Sequence, residues 1–182
     1  MCSSDLGFDL VPYAPGIINN VGLYSKKYKS INDLPQGASV AIANDPINSG
    51  RGLQLLAKAG LITLKPGVGY KATEEDIVTN PKKIKILQVE AVQLVRAYDD
   101  AGLVQGYPAY IRLSKTFDAE SALLFDGLDH PEYVIQFVIQ PKSKTDPRVI
   151  KFVDIYQHSP VVRAALDKSL GKLYQVGWED KK

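Results

Sequence analysis

Cysteine is almost absent. Cys2 is the only one in 182 residues, which excludes an internal disulfide and any zinc site built from cysteines. The two histidines, His130 in the turn Asp129-His130-Pro131 and His158 just before a helix cap, are too few for a histidine cluster and read as solvated. No apolar run approaches the roughly 18 residues of a membrane helix, and none has the character of a signal-peptide core. Neither sign of charge dominates. Lysine and arginine number 22 against 20 aspartates and glutamates, a net charge of +2 scattered along the chain. No basic face therefore argues for nucleic acid or an anionic lipid surface.

The signatures of catalysis are missing as well. There is no G-x-S-x-G, no Walker A loop, no G-x-G-x-x-G after a strand and no H-E-x-x-H. Gly67-Val68-Gly69 follows a proline turn and reads as a turn itself. The cluster Glu74-Glu75-Asp76 opens a helix, where acidic residues complement the dipole. Asp99-Asp100 closes one, without the further oxygen ligands that a cation needs. We expect no enzyme, no cofactor and no metal.

What the chain does have is an ordinary globular composition, 45% hydrophobic and 23% charged, large enough for one substantial core. Short apolar runs alternate with stretches of helical spacing. Ser39–Ala43, Ile84–Glu90, Leu103–Gln105 and Glu132–Gln140 read as strands, and the segment Ile17–Tyr24 as another. Helices are expected over Glu74–Thr79, Ala91–Tyr98, Pro147–Gln157 and Pro160–Leu170, the last two opened by Asp146-Pro147 and Ser159-Pro160. Ser30–Leu34 suits a single helical turn. This alternation argues for an α/β fold with a mostly parallel sheet.

The most informative stretch is Asn44 to Gly60. The buried run Ser39–Ala43 is broken by turn residues, and a helix follows, with Asn48 or Ser49 as its cap and Gly60 at the left-handed C′ position. A strand end next to a helix N-terminus collects free N–H groups and partial positive charge. Arg51 falls in the first turn on this reading, where a cation gains little from its own helix. It is expected either to grip a ligand carboxylate through two parallel bonds or to pair with Asp45 and tie the turn together. In such sheets ligands bind beyond the carboxyl ends of strands. A second candidate strand end is therefore Gln105-Gly106-Tyr107-Pro108-Ala109-Tyr110, read as a glycine-bearing aromatic loop.

A longer pattern surrounds these residues. Leu23-Tyr24-Ser25-Lys26-Lys27-Tyr28-Lys29-Ser30, Asp33-Leu34-Pro35, Asn44-Asp45-Pro46, Asn48, Gly50-Arg51 and Leu55-Leu56 form one ordered series. Ala59-Gly60-Leu61-Ile62, Leu64-Lys65, Gly67-Val68-Gly69, Asn80-Pro81-Lys82 and Gln93-Leu94 extend it. The series is dense from Leu23 to Asp100 and thinner afterwards. It resembles the NlpA-type lipoproteins, the methionine-binding family of bacterial ABC importers.

The resemblance implies a type II periplasmic-binding-protein fold. One complete lobe would span residues 25–131, the end of the other lobe and a hinge strand residues 7–24, and the return strand with C-terminal helices residues 132–182. It further implies that Arg51 holds the ligand carboxylate, and that removing it abolishes binding while leaving the fold largely intact. Two asparagines are implied for the amino-acid headgroup. The matching segments here read Val104-Gln105-Gly106-Tyr107 and Tyr133-Val134-Ile135-Gln136, so Gln105 and Gln136 are expected to supply the amides. The expected binding set is Arg51, Asn44, Asn48, Gln105, Gly106, Tyr107 and Gln136.

The implied function is delivery of methionine, or a related amino acid or small peptide, to an ABC permease and ATPase. Such a protein sits in the cell envelope, held to the membrane only by a lipid anchor. Two alternatives stay open: the same scaffold retuned to another small carboxylate or organic anion, or an enzyme or interaction protein on this fold. Met1–Leu6 has the look of a translated sequencing adapter, and family members carry a signal segment, an anchor cysteine and most of a first lobe upstream. The chain is accordingly expected to be an N-terminally truncated fragment.

Overall fold

Val40, Ala41, Ile42 and Ala43 are apolar on both faces of one strand, and such a strand must be covered on both. In the computed structural model, which describes residues 9–178, all four are fully buried. The expectations for Met1–Leu6 lie outside the described residues. In chain order the elements are β1 (Val11–Pro15), β2 (Ile17–Asn19), β3 (Gly22–Tyr24), β4 (Ser39–Ala43), α1 (Pro46–Lys58), β5 (Thr63–Leu64), β6 (Ile77–Thr79) and β7 (Lys85–Val89). They continue with α2 (Leu94–Ala97), β8 (Leu103–Gly106), α3 (Pro108–Ser114), β9 (Leu124–Phe125), β10 (Gln136–Ile139), α4 (Pro147–His158), α5 (Pro160–Leu170) and β11 (Tyr174–Val176). The chain divides into two compact units. One is Asn20–Gly127; the other holds the described residues up to Asn19 and from Leu128 onward.

The first of these units is built on a five-stranded sheet of order β7-β4-β8-β3-β9. β4 pairs in parallel with β7 and β8, whereas β3 is antiparallel to both β8 and β9. Four strands therefore point one way and β3 runs against them. The sheet is mixed in its ladders, because the chain enters the unit through β3 and only afterwards begins its crossovers. β4 leads into α1, which lays Leu53, Leu55 and Leu56 on a core shared with Leu23, Val40, Ile42 and Leu103. The helix closes as a Schellman motif: Gly60 N–H bonds to the Ala57 carbonyl at 2.9 Å and Leu61 N–H to the Leu56 carbonyl at 3.1 Å. Gly60 has φ +71°, the left-handed conformation its place requires.

Gly50 has a different reason to be glycine. A Cβ built there would overlap the Tyr70 backbone carbonyl, so the absence of a side chain lets α1 lie against the segment Gly69–Lys71. Gly50→Ala is expected to cost about 1–3 kcal/mol, as overpacking does, and to lower the melting temperature. An unchanged melt would show that the segment moves aside freely.

Several elements differ from the sequence reading. Ile17–Tyr24 is two strands, because Val21 N–H leaves the ladder for the Asp126 carboxylate at 2.8 Å. The expected helix Glu74–Thr79 is a single 3-10 turn over Glu74–Asp76, closed by the Thr73–Asp76 capping box. The β-branched run Ile77-Val78-Thr79 then pairs with Thr63 and Leu64 as a strand. The expected strand Glu132–Gln140 begins only at Gln136, since Pro131 opens a 3-10 turn over Pro131–Tyr133. Ser30 does cap the turn Ile31–Asp33, as its sequence suggests.

The other unit joins β1 to β10 and β2 to β11, both antiparallel. Asp146 caps α4 with Pro147 at its first position, and Pro160 takes the same place in α5. Phe137 meets Phe152 and Tyr156 edge-on, and Tyr156 meets Trp178. Phe152 and Val161 nonetheless remain largely exposed.

Candidate ligand-binding site

The chain leaves β4 at Asn44, whose N–H bonds to the Val89 carbonyl at 2.9 Å while its side chain is exposed. Asp45, not Asn48 or Ser49, caps α1. Pro46 explains the shift, since its fixed φ and missing donor fit the first helical position. The Asp45 carboxylate accepts Asn48 N–H at 3.1 Å and the Asn48 side-chain amide at 3.1 and 2.9 Å. Asn48 is thereby spent on the cap.

Arg51 consequently lies in the second turn of α1, not the first. At about 100° per residue it sits about 240° around the helix from Asp45, and the two do not pair. Its partner is Asp126: Arg51 Nε donates to Asp126 Oδ2 at 2.6 Å, with both side chains more than nine-tenths buried. Asp126 is tied on every side. Its Oδ1 accepts Val21 N–H, its own N–H donates to the Val21 carbonyl at 2.9 Å, and Lys58 Nζ donates to its carbonyl at 2.6 Å. Sequence reasoning missed Asp126. The one signal on offer was an acidic residue directly after the apolar pair Leu124-Phe125 and before a glycine.

Gln105 is wholly buried near the end of β8. Its Oε1 accepts Ala43 N–H at 2.9 Å, and its Nε2 donates to the Asn48 carbonyl at 3.0 Å and to Tyr107 Oη at 2.9 Å. One amide thus joins the end of β4, the first turn of α1 and Tyr107. The segment Gln105–Tyr110 is not the loop its sequence suggested. β8 runs through Gly106, Tyr107 is the residue before α3, and Pro108 starts that helix. Gly106 serves packing, since a Cβ there would come within 2.6 Å of the Tyr24 ring. Gln136 belongs to the other unit, where it opens β10 opposite Pro15 with its side chain exposed.

Burial, more than any charge, pushes the Tyr107 phenol well above its ordinary range, with Arg51 opposing the shift in part. Tyr24 is raised for the same first reason, and its hydroxyl donates to the Ala119 carbonyl at 2.6 Å. A raised folded-state value means that the unfolded chain gives up these protons first. The stability they contribute is full below about pH 10, the ordinary phenol value, and is lost as the pH rises above it. An alkaline titration followed at 295 nm should show both phenols ionising only together with loss of the circular dichroism signal.

The site offers a buried guanidinium paired with Asp126 and a wholly buried amide whose bonds run to the protein. Among the described residues no group of three or more His, Cys, Asp or Glu could hold a metal. The chain matches the model of the NlpA lipoproteins over residues 3–178. It belongs to the NlpA lipoprotein family.

The chain is similar to the D-methionine-binding lipoprotein MetQ of Salmonella typhimurium. It is 41% identical over 166 residues, covering 88% of this chain and 60% of the relative. The chain thus spans under two thirds of that relative's length. Among solved structures, a nutrient binding protein from Burkholderia cenocepacia bound to methionine is 35% identical with TM-score 0.87, covering 96% of this chain and 73% of the other. A periplasmic substrate-binding protein of an ABC transporter from Coxiella burnetii is 34% identical with TM-score 0.86, covering 95% and 72%. The fold is that of these periplasmic binding proteins. Among the described residues no helix is long and apolar enough to cross a membrane.

Proposed function

We propose that this chain is the ligand-gripping part of a substrate-binding lipoprotein that delivers methionine, or a closely related amino acid, to an ABC importer. Arg51 takes the ligand carboxylate. Asn44, Asn48, Gly106 and Tyr107 shape the surrounding wall, and Gln105 braces it. The partners are the permease and ATPase of the importer, and the complete protein is lipid-anchored in the cell envelope. The observation that carries the reading is Arg51 itself, a buried arginine in the second turn of the helix that follows β4, on the side of the sheet's strand ends where α/β folds bind ligands. The likeness to a methionine-bound structure supports the same choice.

A second reading, another small carboxylate on the same scaffold, draws on Gln105. Its amide is engaged by Ala43, Asn48 and Tyr107 and is not presented to a headgroup. A thermal-shift panel on the protein expressed from its complete gene decides between them. L- and D-methionine raising the melting temperature more than other amino acids or simple organic acids supports the first reading. Stabilisation by organic acids alone supports the second.

A further inference from the structure

We propose that Tyr107 contacts the ligand directly: its hydroxyl hydrogen is donated to the ligand carboxylate, and Gln105 is the positioning residue that aims it. This rests on the reading that the ligand is a carboxylate bound at this end of the sheet. The hydrogens can be placed one by one. Ala43 N–H is a backbone donor and must meet an oxygen, so the atom 2.9 Å from it is Gln105 Oε1. The Asn48 carbonyl can only accept, so the atom 3.0 Å from it is Nε2. Two backbone groups thus fix which way round the amide lies.

Nε2 has two hydrogens. One goes to the Asn48 carbonyl and the other to Tyr107 Oη at 2.9 Å, so the phenol oxygen is an acceptor there. The phenol's single hydrogen must point elsewhere. Among the described residues no acceptor takes it. The nearby carboxylates have other partners: Asp45 holds Asn48, and Asp126 holds Val21 N–H and Arg51.

The surroundings keep this arrangement in place. A Cβ on Gly52 would come within 2.9 Å of Gln105 Oε1, so α1 is bare where the amide lies. The Tyr110 ring meets the Tyr107 ring edge-on, with centroids 5.9 Å apart. Burial keeps the phenol protonated, and the charges acting on it next are those of Arg51, Asp45 and Asp126. Tyr107 stands between the end of β8 and the start of α3, where α/β sheets receive ligands, and it is only part-buried. A hydroxyl that already accepts an N–H is a stronger donor, and a carboxylate oxygen is the acceptor that suits it best. Arg51 is engaged by Asp126 and takes part in a further interaction, so a ligand carboxylate gains from a donor that is not yet committed.

The test uses protein expressed from its complete gene. Calorimetric titration with L-methionine compares the wild type with Tyr107→Phe, which keeps the ring and removes the hydroxyl. The affinity is expected to fall about tenfold or more, as for a lost hydrogen bond to a charged acceptor. An affinity within about twofold of the wild type overturns the proposal. A crystal structure of the wild type with L-methionine reads the contact itself, and it decides even if the Phe variant fails to fold. Tyr107 Oη is expected within about 2.5–3.0 Å of a carboxylate oxygen. A hydroxyl facing the ligand's amino group, or lying more than about 3.5 Å from the carboxylate, overturns the proposal. Any loss in the Phe variant is then structural, from the Gln105 amide losing one partner. Should the wild type fail to bind L-methionine at all, the first reading of the function fails and the proposal falls with it.

Discussion

Arg51→Ala is expected to lose both ligand binding and stability. Removing the charged partner of a desolvated carboxylate costs about 2–5 kcal/mol, or roughly 30- to several-thousand-fold in affinity. The sequence alone suggested that the fold would be indifferent. The structure reverses that, because the alanine strands the buried Asp126 carboxylate with Val21 N–H but without its cation. Breaking one side of a buried pair costs about 3–5 kcal/mol. The double variant Arg51→Ala, Asp126→Asn should recover part of the stability and none of the binding. Arg51→Lys should recover little of either, since an ammonium cannot bridge Asp126 and a carboxylate as a planar fork does. Urea melts beside titrations separate the two losses; normal binding by a destabilised alanine variant would reduce Arg51 to a structural brace.

Gln105→Leu carries the second large effect. Leucine has similar bulk but leaves Ala43 N–H, the Asn48 carbonyl and Tyr107 Oη without their partner. A buried group left unsatisfied costs about 1–3 kcal/mol, and three acting partly together are expected to cost about 3–5 kcal/mol. The loss should appear as a lower urea midpoint at unchanged slope. A loss below about 1 kcal/mol would mean that water or a neighbour replaces the amide readily.

Much of this architecture was legible before any coordinates. β4 and the C-terminal end of α1 followed from an apolar run and a glycine, since burial and left-handed φ leave few choices. The helices opened by Asp146-Pro147 and Ser159-Pro160 were equally plain. The start of α1 was not, because Asp45, Asn48 and Ser49 are all good caps and only Pro46 favours the first. Placing the cap wrongly put Arg51 in the wrong turn and gave it the wrong alternative partner. Its true partner is distant in sequence, at Asp126, and nothing local in the chain couples the two. Gln105 was found by resemblance and assigned to the ligand, whereas its bonds run to backbone and tyrosine. Local rules reach caps and turns; they do not reach a long-range ion pair or the direction of a buried amide.

The central claim is that a ligand carboxylate is held by Arg51. Calorimetric titration of the protein expressed from its complete gene, with L-methionine and then with L-methioninol, tests it most directly. Methioninol keeps the side chain and the amino group and replaces the carboxylate by an alcohol. The account predicts one saturable methionine site and an affinity for methioninol lower by about 30-fold or more. Equal affinity for the two, in a folded protein, would contradict it.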